Sequence, residues 1–483
     1  MDKTSMEKTV LAEELSSRSD ADSRPGVLEW TEEEETILRH KMDWRTFLDR
    51  INIGNARLQG LERDLQLVGL QFNWTLSIFY IVYLLVEVPS NIILKRVGPR
   101  IYLPSLVVGF GLVSLCSAFV TSYPGLLVAR AILGGFEGGA MPGMAFYLST
   151  FYKRKELLFR IGIYVSAASM AGAFGGLLAT GLSRIPEWGT AAMPINTWRN
   201  IFFFEGLITM IVGLLAPFWL PGSPATCKFL TEREQMIAAE RLLREHRAQP
   251  EERVTWQDVK RAVFCIHNYT CAFGFFLINI TVQGLSVFLP TILRDLNWTS
   301  TQAQLYSVPP YVCACLVAVA VAYISDKTRK RGVYLAGFSL LAITGFAILR
   351  WVSSPNIRYM AVFFVTVGAF PGGPGFLAWA INNSAGPAVC AVSSGYVVTL
   401  GTIGGIVATW SYIPSDAPAY HTGHSINLGG QVGVLVLSTF GAVYCAWENR
   451  ARAAGKRDHR LVGVTEEQMG RLGSRHPEFR YMA

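Results

Sequence analysis

Long apolar stretches recur along the chain, at about 71–94, 101–121, 125–150, 158–182, 200–220, 264–292, 305–325, 332–350, 358–381, 389–412 and 429–447. Each is near or above the roughly 20 residues that a helix needs to cross a bilayer. Eleven membrane-spanning helices are therefore predicted. Two hydrophilic stretches set them off, a loop at 222–261 and a tail from about 449, and a polar segment precedes them. In the loop, Thr231 with Glu234 has the spacing of a helix-capping box, and Glu240 with Arg244 that of an i,i+4 ion pair.

Composition sharpens the picture. Over the 483 residues, 51% are apolar and only 16% charged, well below the quarter or so of charged residues usual in soluble domains. Forty-five glycines and twelve tryptophans suit helices packed in lipid. Fibrous and disordered classes are excluded, because no glycine period exists and aromatic content is 12%. The net charge of +8 lies in short clusters between apolar runs, which fits cytoplasmic loops and not nucleic-acid binding. Eight cysteines include no CxxC pair, so neither a zinc site nor a disulfide framework is indicated, and no cofactor motif is present.

Basic clusters fix the expected orientation. Lys95, Arg96 and Arg100 share one loop, Lys153, Arg154, Lys155 and Arg160 a second, and Lys327, Arg329, Lys330 and Arg331 a third. Loops such as 121–124 and 413–428 carry no Lys or Arg. The alternation puts both termini and the middle loop in the cytoplasm. Two termini on one side require an even number of spans, and the only candidate for a twelfth is Thr46–Leu61, short and charged at Asp49, Arg50 and Arg57. The basic loops 91–100 and 322–331 recur at the same point of each six-helix half, which indicates a parallel duplication. The expected layout is a tail at 1–45, a helix bundle at 46–220, a loop at 221–261, a second bundle at 262–448 and a tail at 449–483.

On these loops the sequence resembles the major facilitator superfamily, whose signature is G-x-x-x-D-R-x-G-R-R. Asp326 and Arg331 match it in the second half, with Lys327 and Lys330 for arginines and Arg329 at the glycine position. Arg96, Gly98 and Arg100 match in the first half, where Lys95 replaces the acid. Within the superfamily the chain is similar to the fungal anion:cation symporters of the allantoate-permease-like group. The segments FLDRINIGNARLQGLERDL (47–65), EVPSNIILKRVGPR (87–100), ARAILGGFEGGAMPG (129–143) and RHPEFRY (475–481) carry that likeness. The resemblance implies an all-α membrane protein of two six-helix bundles, with helix 1 truncated before FLDR by roughly a dozen residues of a normal span. It also implies that the 95–100 and 326–331 loops latch the cytoplasmic side.

Charge inside the bilayer is costly, which makes it a functional signal. The apolar cores hold Glu87, Arg130, Glu137 and Glu205, with Asp49 and Arg50 in the incomplete first helix. A guanidinium at Arg130 can pair a carboxylate in two parallel bonds, on a substrate or on Glu137 or Asp49; an internal ion pair that only fixes packing is the alternative. Asp49 and Glu137 are candidate proton carriers. Glu87 and Glu205 are open to boundary ion pairs. In the second half, Asn279 and Gln283 lie one turn apart, and Asn382 and Asn383 end a span; each could bond a polar substrate or another helix. Glycine runs at 134–143 and 172–181 lack the GK[ST] of a phosphate loop and read as close helix packing. Glycosylation sequons occur at Asn73 and Asn297.

The expectation is a monomeric plasma-membrane symporter that moves a small organic anion with protons. A-G-A-F-G-G at 171–176 lacks the proline of the superfamily's antiporter motif, which favours uptake. An exporter of a secondary metabolite and a non-transporting sensor or inactive form remain alternatives. No nucleophile–base pair or metal-ligand spacing suggests an enzyme.

Overall fold

The computed structural model describes residues 53–149, 151, 172, 174–190, 193–219, 231–237, 240, 255–385, 387–461 and 473–482. Asp49, Arg50, the junction ahead of them, the 153–160 basic cluster and Arg244 lie outside those residues. The first half contains α1 (Ile53–Leu58), α2 (Leu61–Asp64), α3 (Gln71–Val97), α4 (Pro99–Ser117), α5 (Tyr123–Glu137) and α6 (Ala140–Ser149). A helical stretch at 174–182 follows, then an antiparallel hairpin of β1 (Trp188–Thr190) and β2 (Met193–Ile195), and α7 (Thr197–Trp219). The second half contains α8 (Trp256–Val263), α9 (Ile266–Arg294), α10 (Ser300–Thr328), α11 (Arg331–Trp351), α12 (Pro355–Ala369), α13 (Gly372–Asn382), α14 (Pro387–Thr409) and α15 (His421–Ala453).

Among the described residues, eight helices are long and apolar enough to cross a membrane, with α12 and α13 forming one path from Pro355 to Asn382. Each coincides with one of the eleven apolar stretches. Of the other three, 71–94 is the continuous helix α3, 125–150 is helical but interrupted between α5 and α6, and 158–182 is described only at 172 and 174–182. The interruption falls at Gly138–Gly139, inside one of the glycine runs. There α5 lies so close to α3 that a side-chain carbon on Gly138 would stand 2.7 Å from the Tyr83 carbonyl oxygen. Close helix packing is thus what that run provides.

The distribution of polarity is that of a protein solvated by hydrocarbon. Leu85, Ile101, Val128, Val212, Phe218, Leu316, Val436 and Val443 are exposed, while Thr281, Gln304, His424 and Gln431 are fully buried. Within the first half α4 packs along α7 and α3 along α5; within the second, α9 packs on α14 and α15, and α11 lies against α12 and α15. The halves meet where α3 runs beside α14 and where α1 seats against α9. Local signals set several helix starts. Thr299 and Gln302 close a capping box at the head of α10, and the expected Thr231–Glu234 box forms as well.

Candidate functional site

One end of the bundle is sealed by contacts between the halves, and a buried glutamine organises them. Gln304, in the first turns of α10, accepts from Gln59 Nε2 at 3.1 Å and from Thr180 Oγ1 at 3.2 Å, and its Nε2 donates to the Asn55 carbonyl at 3.3 Å. Ser300 Oγ donates to the Leu58 carbonyl at 3.1 Å. On the neighbouring helix pair, Asn73 Nδ2 donates to the Thr409 carbonyl at 2.5 Å, and the hydroxyls of Ser77 and Thr409 stand 2.7 Å apart. These bonds draw α1, α3 and the 174–182 helix of the first half onto α10 and α14 of the second. Buried polar groups must find partners, so the seal is both adhesive and exacting about geometry.

An apolar cluster backs the polar layer and also spans both halves. Ile53, Leu61, Phe72, Trp198 and Phe202 from the first half pack with Phe288, Ile292, Tyr412 and Tyr420 from the second. Arg57 reaches into it. Its guanidinium carbon lies 4.4 Å from the Phe72 ring centre and 5.7 Å from that of Phe288, and its Nε is 2.9 Å from Glu62 Oε1. Trp198 Nε1 donates to Asp64 Oδ2 and Tyr420 OH to Asp295 Oδ2, each at 2.8 Å. Burial, and then the bond to Asp295, hold the Tyr420 phenol well above its ordinary pKa, so it remains a donor.

Behind the seal, Tyr80 OH donates to Gln283 Oε1 at 2.9 Å, bridging α3 and α9. Asn279, one turn earlier on α9, spends its amide on the Phe275 carbonyl at 3.0 Å. Gln283 and Asn279 are thus on one helix but not in one hydrogen-bonded pair. In the first half Arg130 is buried on α5, with its guanidinium carbon 5.4 Å from the Phe202 ring centre. Its Nε and one terminal nitrogen make no hydrogen bond among the described residues. Glu137 supplies the carboxylate whose field reaches it. Glu87 and Glu205 are buried on α3 and α7, and Glu87 Oε2 is without a partner among the described residues. Asp49 and Arg50 lie outside the described residues. A buried cation with unspent donors is the chemistry that takes a carboxylate or another oxyanion.

Asn383 sits elsewhere, at the end of α13. It is buried and donates to His267 Nε2 at 2.9 Å. Nearby, Arg331 pairs with Asp326 across the 326–331 loop. With the Asn382 amide turned so that its oxygen faces the guanidinium, it accepts from Arg331 Nε and Nη2 at 3.1 Å each. The two copies of the loop share a positive φ at the glycine position of the signature but not the same backbone conformation. Gly98 has φ 88° and ψ 148°, a combination reserved for glycine, and Arg329 at the equivalent position has φ 55° and ψ 27°. Arg96 and Lys327 lie in the last turns of the helices that enter these loops, and Lys330 stands just ahead of the next helix without a side-chain capping bond. Arg100 reaches the Pro217 carbonyl at 3.5 Å, on the last turns of α7. Lys95 lies in the last turn of α3.

The sequons separate cleanly. Asn297 is exposed, in a left-handed turn after α9. Asn73 is 1% exposed and already bonded, which leaves no room for a glycan in this conformation. Gln304, Arg57, Ser77 and Thr409 are the residues that sequence reasoning passed over. Gln304 is uncharged and falls just ahead of an apolar stretch, and Arg57 reads from sequence as an obstacle to insertion.

Two bundles of membrane-spanning helices, joined by a polar seal at one end and holding a buried cation behind it, define a multi-pass transporter. Residues 46–409 match the Major Facilitator Superfamily, and the chain belongs to that family. It is accordingly a membrane transporter and not an enzyme. It is 34% identical over 412 residues to the MFS-type transporter efuF of Hormonema carpetanum, covering 84% of this chain and 82% of that one. It is 30% identical to the high-affinity nicotinic acid transporter of Saccharomyces cerevisiae, over 90% of this chain and 80% of the relative. Among solved structures, a bacterial homolog of the human lysosomal transporter Spinster, inward-facing and unoccupied, superposes with a TM-score of 0.59 at 16% identity. That superposition covers 81% of this chain and 93% of the other.

Proposed function

We propose that the protein takes up a small organic anion, a carboxylate nutrient, together with protons across the plasma membrane. The observation that carries this reading is Arg130, a buried guanidinium with two nitrogens unspent among the described residues. A carboxylate would satisfy both at once and offset the cost of a cation in a low-dielectric interior. The relative named for nicotinic acid, itself a carboxylate, supports the same substrate class. Glu137, whose field already reaches Arg130, and Asp49 are the proton carriers in this scheme.

The end sealed by Gln304 is the outward one in the same reading, with the 95–100 and 326–331 loops in the cytoplasm. The described state is then inward-facing. Uptake proceeds when the seal parts, the anion reaches Arg130, and the halves rock to re-form the seal behind it. The test is uptake of radiolabelled nicotinate into proteoliposomes under an inward proton gradient. Accumulation above protein-free vesicles that collapses with a protonophore is expected. Uptake indifferent to both pH and protonophore contradicts the coupling, and absence of uptake for nicotinate and other monocarboxylates contradicts the substrate class.

A further inference from the structure

Segment 473–482 (GSRHPEFRYM) lies along the second half as a strap. A short 3-10 turn at Gly473–Arg475 and a turn closed by the Phe479 amide on the His476 carbonyl lead into Phe479–Met482, and the strap's polar bonds to the bundle run almost wholly through its backbone. Arg452, in the last turn of α15 and 4% exposed, is the main anchor. Its Nη1 donates to the carbonyls of His476 at 3.2 Å and Phe479 at 2.8 Å, its Nη2 to that of Ser474 at 3.0 Å, and its Nε to Glu448 Oε1 at 3.0 Å. Glu448 also pairs with Arg457 at 2.7 Å, so the anchor is oriented from both sides. Further along, Asn449 exchanges two bonds with Tyr481, both at 2.8 Å. Asn383 does the same with Met482, its Oδ1 accepting at 2.7 Å and its Nδ2 donating at 3.0 Å, while Trp379 Nε1 donates to the same carbonyl at 2.8 Å.

Side chains complete the fit. Tyr481 is buried, 4.7 Å from the Arg452 guanidinium carbon and 6.0 Å from the His267 ring. The strap therefore ties the start of α9, the end of α13 and the end of α15 together at one place. Through neighbouring Asn382 that place adjoins Arg331 and Asp326, the ion pair of the signature loop.

We propose that Trp379, Asn383, Asn449 and Arg452 form a peptide-binding groove, filled in cis by segment 473–482, and that this clasp makes the second half move as one body. The groove recognises a peptide carrying Phe-x-Tyr behind a tight turn. Backbone carbonyls converging on one guanidinium give the strength, and the two aromatic side chains flanking that guanidinium give the specificity. Release of the strap leaves the substrate site intact but lets the helix ends shift independently, so turnover falls while apparent substrate affinity holds.

A variant ending at residue 472 and a labelled synthetic peptide of residues 473–482 test this without any substrate, so the outcome is separable from the transport reading. Saturable binding of the peptide to the truncated protein is expected, with none to the full chain, whose groove is occupied. A scrambled peptide and the truncated form carrying Arg452→Gln should not bind. If the truncated protein does not fold, hydrogen exchange on the full chain decides. The amides of Tyr481 and Met482 should be protected in the wild type, and at least tenfold less so in Arg452→Gln, a loss of about 1.4 kcal/mol. Equal peptide binding to full and truncated chains, or equal exchange in wild type and variant, overturns the proposal.

Discussion

Gln59 and Gln304, 245 positions apart in sequence, meet amide to amide at 3.1 Å and join the turn that follows α1 in one half to α10 in the other. Gln304 is fully buried, and with Asn55 and Thr180 it forms a small polar centre in the contact between the halves. Such a centre is costly when incomplete, so it favours one closed arrangement over neighbouring ones.

Replacing Gln304 should expose that cost. In Gln304→Ala the Gln59 amide and the Thr180 hydroxyl lose an acceptor and the Asn55 carbonyl a donor. An unsatisfied buried group costs about 1–3 kcal/mol, so a loss of about 2 kcal/mol from the closed state is expected. Thermal unfolding of the purified protein and the accessibility of a cysteine at Leu58, a buried position that bonds across the seal only through its carbonyl, both report it. An unchanged melting temperature and unchanged accessibility would show that the amide contributes nothing to the seal.

The two copies of the signature loop differ in backbone comfort. Gly98 adopts angles that only glycine tolerates, whereas Arg329 holds a left-handed conformation that costs a side-chain-bearing residue roughly 1–2 kcal/mol. Arg329→Gly should therefore stabilise the protein, with the gain reduced by the larger entropy of glycine in the unfolded chain to about 1 kcal/mol or less. Gly98→Ala should destabilise it by more than that gain. Denaturation midpoints of both variants, measured side by side, give the two opposite signs.

Arg130 separates charge from geometry. Lysine keeps the charge but not the planar fork that binds a carboxylate through two parallel bonds. Arg130→Lys should raise the apparent KM for the anion by about tenfold, the loss of about 1.4 kcal/mol expected of one charge-assisted bond. Arg130→Met should remove uptake while leaving the fold intact, since a buried cation with unpaired nitrogens contributes little stability. Uptake by Arg130→Met at the wild-type rate would assign Arg130 to packing alone.

The spans were legible in the sequence because hydrocarbon imposes a length and a composition that no side-chain detail can disguise. The helix pairing at Gly138 was legible for a related reason, since only small residues admit a neighbouring backbone. The seal was not. Gln304 is neutral and lies at the margin of an apolar stretch, and its partners are a side chain and a carbonyl more than 240 positions away. Arg57 reads locally as an obstacle to insertion, and only the tertiary fold reveals the rings of Phe72 and Phe288 around it. Asn383 reads as a polar group available to a substrate, yet it is committed to His267 and to the backbone of Met482. Docking of the strap was equally hidden, because Arg452 binds carbonyl oxygens, which every sequence has.

Whether parting of this seal is part of the transport cycle can be read from one pair of positions. The hydroxyls of Ser77 and Thr409 are 2.7 Å apart, close enough for cysteines there to form a disulfide across the halves. In a background without the native cysteines, the Ser77→Cys/Thr409→Cys protein should transport while reduced. It should stop when oxidised and recover on addition of dithiothreitol. Formation of the disulfide with uptake continuing undiminished would contradict the account.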